Sequence, residues 1–537
     1  MQKHTIPYTQ VGSFSKIFLD YVAQLPDLHN FYAYNLSYKS CATAAEYLAQ
    51  QQHRYNRAVL HNALQKQYAK IPVSQATQSN ITALSQPNSF AVVTAHQPNL
   101  FTGPLYFVYK IASTIALSNK LNALYPQYRF VPIYWMGSED HDFAEVNHIN
   151  IYGKTLTWDI PNDGSAVGKI NTKSLTPVLD ELQMVLGNDA ETQQLMMRLR
   201  HAYIQQTTLG QATQYWVNDL FGEHGLVVID QDDRDLKQLF LPIIEQELIE
   251  KQSQHWVQQT NAELQAKDYA TQAFPRPINL FYHHNQGRKR IVWNEESQYF
   301  ELNDEQPWKN IDQIKEHLCE APDKFSPNVI LRPLYQQTVL PAVAYVGGGG
   351  ELAYWLQLKR VFDNYGVHYP VLVPRNSALW IDEHTTRRMQ RTDLTVADLF
   401  RNAEKLAVEY INKHTRNQLH LFAQKEAIRI AFEQILQRAI QIDPTLQSAV
   451  VGETIKTEKA IEALEAKMLR AEKRHFDTAT TQIKQIKEKI FPKGQLQERH
   501  DNMLPIYLRQ DKAFIELLIN TFDPIESQFW VFSEDGE

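Results

Sequence analysis

Two kinds of hydrophobic pattern divide the chain near residue 382. Before that point, short apolar runs rich in β-branched and aromatic residues alternate with stretches of helical period, the pattern of an α/β domain. The runs at 90–93 and 130–135 give way abruptly to His, Asn, Gly, Glu and Asp, in AVVTAHQPNLFTGPLY and RFVPIYWMGSEDHDFAEVNH. Between them, residues 106–117 read as an apolar helix. Residues 175–221 and 236–265 are expected to be helical, separated by LVVID, a short strand closed by Asp230, Asp232 and Asp233. RPINLFYHHNQGRKRIVW predicts a hairpin turning at Asn285-Gln286-Gly287, inside an insertion. NVILRPLY, TVLPAVAYV and YPVLVPR read as further strands.

Beyond residue 382 the period lengthens to seven. Leu421, Ile428, Ile435 and Ile442, with Phe432 and Ala439 between them, mark one seam that stops at Asp443-Pro444. Ile461 and Met468, with Leu464 and Ala471, begin another. After a one-residue skip it continues through Phe476, Ile483 and Ile490, with Ala479 and Ile486. Two heptad helices joined by a short loop predict an antiparallel coiled-coil arm. Its second helix, over 454–490, would be about 55 Å long at 1.5 Å per residue. The Lys and Glu residues between Lys456 and Lys489 are expected to form its solvated face. FPKG stops the helix, and an apolar helix followed by QFWVF is expected to return to the body. The expected division is 1–235 and 326–381 for the two parts of the α/β core, 236–325 for the insertion, 382–505 for the helical domain and 506–537 for the returning segment.

Composition narrows the class without identifying it. A chain of 537 residues is too long for one simple core. A net charge of −7 offers no global basic field for nucleic acid. Cys41 and Cys319 are the only cysteines, which argues for a reducing compartment rather than a disulfide framework. The first residues carry no apolar leader and no window reaches membrane-span length, so a cytoplasmic protein is expected.

The chemistry gathers at strand ends, where open α/β sheets bind ligands. His96, Gln97, Asn99, Thr102, Gly103 and Tyr106 follow the first run, and Gly103 would let a ligand approach the backbone. Glu139, Asp140, His141 and Asp142 follow the second, with Glu145, Asn147 and His148 close behind. Such a group can act as a general base, bind an amine or hold a metal. The lesser alternative is a helix N-cap with acidic first-turn residues. His141 and His148 are seven residues apart, which is not the spacing of a helical zinc pair, and no metal is assigned. Arg332 and Arg375 suit carboxylate or phosphate binding. Gly347, Gly348, Gly349, Gly350 and Glu351 could wrap an anion at a helix start, although neither the Walker nor the dinucleotide spacing is present. A metal-dependent hydrolase using residues 139–148 and a non-enzymatic coiled-coil adaptor remain open on this evidence.

Taken together, AHQPNLFTGPLYFVYK, GSEDHDFAEVNH, RPLYQQTVLPAVAYVGGGGELAYW, VLVPR and FPKGQLQER resemble the bacillithiol-synthesis cysteine ligases (BshC), in order and over nearly the whole chain. The resemblance implies a Rossmann-like parallel-sheet core with connecting insertions and a C-terminal α-helical coiled-coil domain used for homodimerisation. It implies addition of cysteine to glucosaminyl malate, the last step of bacillithiol formation. Because amide formation from a free carboxylate is uphill in water, ATP with Mg is the expected activator. The fold family is also similar to class I aminoacyl-tRNA synthetases. His96-Gln97-Pro98-Asn99 departs from their H-x-G-H signature, and no K-M-S-K-S lysine loop is present.

Overall fold

The computed structural model describes all residues except 163, 304–306, 418 and 536–537. The chain divides into two compact units: Thr5–Ala378 with Gln497–Trp530, and Met1–His4 with Leu379–Leu496 and Val531–Glu537. Residues 497–505, expected in the helical domain, therefore belong with the α/β unit.

In that unit the apolar runs become β1 (Ser89–His96), β2 (Arg129–Met136), β3 (Val227–Asp230), β4 (Leu280–His284), β5 (Gly287–Asn294), β6 (Tyr299–Leu302), β7 (Pro307–Lys309), β8 (Phe325–Pro327), β9 (Ala342–Gly347) and β10 (Val371–Pro374). Strands β10-β9-β1-β2-β3 form one sheet, parallel throughout. Its strands are continuous apolar runs because helices cover both faces. One of these is α1 (Leu105–Leu124), which packs on β1 and β2 and is buried nearly all round, Lys110 included. The chain runs outward from β1 to β2 and β3, then returns to the other side of β1 for β9 and β10. Loops leaving the carboxyl ends of β1 and β9 therefore diverge and open a crevice at this switch point.

Strands β7-β6-β5-β4-β8 form a separate antiparallel sheet, the core of the insertion. Its hairpin pairs His284 with Gly287, whose positive φ of 98° closes the turn after Asn285 and Gln286. NVILRPLY is not a strand. After β8 the chain forms α3 (Arg332–Val339, following α2 at Arg234–Glu250), with Pro333 in the first turn, where its missing N–H leaves no hydrogen bond unmade. A further helix, α4 (Gly349–Leu356), starts inside the glycine run. The stretch 175–221 is three helices, interrupted at Gly187 and again before the Thr208 cap.

In the helical unit, α5 (Glu383–Arg391) and α6 (Ala403–His414) pack on α9 (Asp477–Ile490), while α7 (Phe422–Ile442) and α8 (Gln447–Lys473) form the antiparallel pair. The long second helix begins at Gln447 and is interrupted by a tighter turn at Arg474–Phe476. The seams also differ from the heptad reading. Ile483, Ile486 and Ile490 are buried against the unit's own helices rather than along the arm. Ile435, Ile442, Leu464 and Met468 are exposed, and within α7 no residue is buried. Among the described residues, no helix is long and apolar enough to cross a membrane.

Candidate active site

A cleft of about 670 Å³ lies at the carboxyl edge of the parallel sheet, a size that suits a small polar ligand pair. Its lining draws on five strand ends: His96 and Gln97 after β1, Asp140 and His141 after β2, Gln231 after β3, Gly348–Glu351 after β9 and Arg375 after β10. Arg332 reaches it from α3 and Tyr106 from α1.

One wall is acidic. Asp140 and Glu145 are bridged by a single amide: Gln97 Nε2 donates to Asp140 Oδ2 at 3.0 Å and to Glu145 Oε2 at 2.8 Å. Asp140 Oδ1 accepts the His141 backbone N–H at 2.8 Å and faces Arg288 Nη1 at 3.5 Å. Burial alone would raise the Asp140 pKa, but the His141 hydrogen bonds and the Arg288 charge hold it well below the usual carboxylate range. Such a carboxylate is a fixed negative charge and a weak base.

Cationic side chains share the same lining. Arg332 donates through Nη2 to Tyr354 Oη at 2.7 Å, and Arg499 joins it from the returning C-terminal segment. Arg375 also borders the cleft, but its fork is engaged internally, with Nη2 on Glu498 at 2.7 Å and Nη1 on Asn376 O and Ser377 Oγ. The bidentate substrate contact expected of it is therefore already taken by Glu498. The glycine run makes the wall open at Gly348, Gly349 and Gly350. None of Gly347–Gly350 has a positive φ. What these residues save is space: a Cβ on Gly347 would lie 2.9 Å from the Tyr345 ring, and one on Gly349 would lie 3.3 Å from Phe18. Glu351 closes the loop by accepting Gly348 N–H at 2.9 Å and pairing with buried Lys110 at 2.7 Å. Burial would raise its pKa, and Lys110 overrides this, setting it at about 2.

His96 also lines the cleft. With Nδ1 as the protonated nitrogen, it donates to Gln97 O at 3.2 Å, and Nε2 then accepts from Tyr106 Oη at 3.2 Å. Burial, then the neighbouring Lys110 charge, push its pKa down to about 3. The ring is therefore neutral at any physiological pH. Its carbon resonances should stay flat between pH 5 and 8 in an NMR titration, and a midpoint near 6.5 would contradict this placement. Because the folded form resists a proton that the unfolded chain takes up below about 6.5, His96 removes stability progressively as pH falls from there towards 3.

Several candidates lie outside the cleft. Glu139 is fully buried beneath it, in an ion pair with Lys237 and 3.3 Å from His283 Nε2. Lys237 overcomes burial and sets the Glu139 pKa at about 2. Asp142 is the N-cap of the short helix Phe143–Val146, accepting from Glu145 N at 3.3 Å. Asn147 ties a turn to Trp158. Asn99 and Thr102 are buried in a strained loop where Phe101 and Thr102 have positive φ. Gly103 is required there because a Cβ would fall 2.5 Å from Asn99 Nδ2. Asn502 braces the loop by donating to Phe101 O and Gly103 O. Gly347 ends β9 and accepts Arg375 N–H at 2.8 Å.

The donor set imagined for a metal, 139–148, does not assemble. Instead Glu139, Asp232 and His283 bring ligand-capable atoms within 4.8 Å of one another. Lys237 already supplies the positive charge at Glu139, and Lys169 pairs with Asp232 at 2.6 Å. These residues fit internal ion pairing better than a divalent ion.

Arg288, Arg499, Tyr354 and Lys110 were not anticipated. Arg288 came within a hairpin read as an insertion, and Arg499 within a motif read as a helix stop. The one usable signal was Lys110, a single cation inside an otherwise apolar helix.

Comparison with known proteins agrees with this architecture. Residues 1–376 match the family model described as bacillithiol biosynthesis BshC, N-terminal Rossmann-like domain, and residues 378–534 match the BshC C-terminal coiled-coil domain. A relative from Flavobacterium johnsoniae is 38% identical over 98% of this chain and 99% of its own. One from Cytophaga hutchinsonii is 36% identical, covering 95% of each chain, and one from Salinibacter ruber is 30% identical over 96% and 95%. All three carry the provisional name cysteine ligase BshC. With its parallel-sheet core, its coiled-coil domain and this full-length similarity, the chain belongs to the BshC family of bacillithiol biosynthesis.

Proposed function

We propose that this protein joins the carboxylate of L-cysteine to the primary amine of glucosaminyl malate, giving bacillithiol in the last step of its synthesis. The observation that carries the reading is a cleft whose lining combines both charges, Asp140 and Glu145 with Arg332 and Arg499. Both substrates pair an amine with carboxylates, so a cleft that offers both charges suits the pair. ATP with Mg supplies the activation: a cysteine carboxylate oxygen leaves with phosphate, and the amine gives up a proton as the amide forms. Arg332, Arg499 and the open Gly348–Gly350 loop are the residues with the charge and space to hold the anionic groups. Calorimetry tests the assignment. Glucosaminyl malate should bind the wild type, and Arg499→Ala should weaken it by about tenfold, the worth of one charge-assisted hydrogen bond. Unchanged affinity in Arg499→Ala would remove the cationic side chains from the account.

The same proposal includes a homodimer through the helical unit. The surface that fits a second copy is the exposed apolar surface of α7 and α8, which includes Ile430, Ile435, Val451, Ile455 and Leu464. Light scattering should show a wild-type dimer and a monomeric, folded Ile435→Asp/Ile455→Asp variant. Ile483→Asp should unfold the unit instead, because it buries a charge among α5, α6 and α9. A wild type that is monomeric at micromolar concentration would rule the dimer out.

A further inference from the structure

The acidic wall raises a question of selectivity that the ligase reading leaves open. Two primary amines enter the cleft, the α-amine of cysteine and the sugar amine, and only one is to be acylated. If the wrong one reacted, cysteine would condense with itself. An amine that must react has to lose its proton, whereas an amine that must not react is protected for as long as it stays an ammonium.

Asp140, Gln97 and Glu145 are built for the second task. Gln97 spends both amide hydrogens holding the two carboxylates, at 3.0 and 2.8 Å. A side-chain amide has no third donor, and each carboxylate retains acceptor capacity. His96 steadies this arrangement from behind through its contact with the Gln97 backbone carbonyl at 3.2 Å. Arg288 lies on the far side of Asp140, where it is also anchored to Ser326 Oγ at 2.9 Å and Pro327 O at 2.8 Å, so it cannot swing over to serve Glu145. Among the described residues, no Lys or Arg pairs with Glu145. Two carboxylates held this close by one neutral amide favour a cation between them, and a protonated amine with three N–H donors fits.

We infer that Gln97, Asp140 and Glu145 seat the α-ammonium of cysteine and keep it protonated, so that they set which of the two amines is acylated. The inference rests on the ligase reading and sharpens it. The seat stabilises the charged amine, and the strongly acidic character of Asp140 means that it does not accept the proton in return. The sugar amine is left to the remainder of the cleft, with its malyl carboxylates towards Arg332 and Arg499.

The test compares cysteine with 3-mercaptopropionate, which keeps the thiol and carboxylate and lacks the ammonium. Calorimetry on the wild type should show cysteine binding at least tenfold more tightly. In Glu145→Gln, an exposed change that leaves the fold intact, that preference should shrink by about tenfold. In turnover, Glu145→Gln should raise KM for cysteine and leave KM for glucosaminyl malate unchanged, and Gln97→Leu should do the same more strongly. A rise confined to KM for glucosaminyl malate would place the sugar amine on this seat and overturn the inference, as would equal binding of cysteine and 3-mercaptopropionate by the wild type. The binding arm needs no turnover. A protein that binds cysteine selectively but forms no amide would therefore refute the ligase reading alone.

Discussion

Lys237→Met is expected to cost about 3–5 kcal/mol of stability in urea denaturation, the usual penalty for stranding one member of a buried ion pair. Lys237 and Glu139 are both wholly inaccessible to solvent; Lys237 and His283 meet Glu139 Oε1, and Oε2 has no hydrogen-bond partner among the described residues. Removing the ammonium leaves that buried carboxylate with only the His283 contact. The double variant Glu139→Leu/Lys237→Met should recover most of the loss, since replacing both charges by apolar groups is often nearly neutral. The pair also gives a pH signature. The folded Glu139 pKa, about 2, lies below its ordinary value of 4.5. Its contribution is therefore complete above pH 4.5 and is lost as pH falls towards 2. A Lys237→Met protein as stable as the wild type at neutral pH would show that the pair contributes nothing.

The largest expected loss of activity comes from Asp140→Asn. The substitution keeps the side chain's shape but removes the negative charge opposite Arg288 and at the amine seat. Hydrogen bonds to charged groups are worth about 1.5–3 kcal/mol, so kcat/KM for cysteine should fall by about 10- to 100-fold. The loss should appear mainly in KM. The pH profile should keep its shape, because a carboxylate held far below the usual range is not the group that titrates. If instead kcat fell by several orders of magnitude with a lost acidic limb, Asp140 would be the general base, the role first expected of it.

Much of this was legible from residue order alone. Continuous apolar runs at 90–93 and 130–135 could only be strands covered on both faces, and in a parallel sheet their polar ends must meet at one edge. That reasoning brought His96, Gln97, Asp140 and His141 to one cleft, whereas Arg332 reaches it from a helix start and not from the strand end expected of it. It erred where a side chain's partner lies far away in sequence. Glu139 and Asp140 are adjacent and share one composition signal, yet Lys237 draws one into the interior while Gln97 and Arg288 hold the other in the cleft. Arg375 likewise looked like a free fork until Glu498, 123 positions on, filled it. The run NVILRPLY was misread because apolar content masked the Pro333 helix start. In the arm, the seven-residue series starts on the inner side, where Leu421, Ile428 and Phe432 are half-buried, but it does not stay there. Ile435 and Ile442, later in the same series, are exposed, because a 3.6-residue turn drifts from a strict seven-residue repeat.

The most direct test of the central claim is a single reaction: purified protein with L-cysteine, glucosaminyl malate and ATP-Mg, followed by mass spectrometry. The cleft as described predicts an amide product with the mass of both substrates less one water, formed in step with hydrolysed nucleotide and only when all three components are present. Folded protein that binds both substrates but yields no such mass, with or without nucleotide turnover, would contradict it.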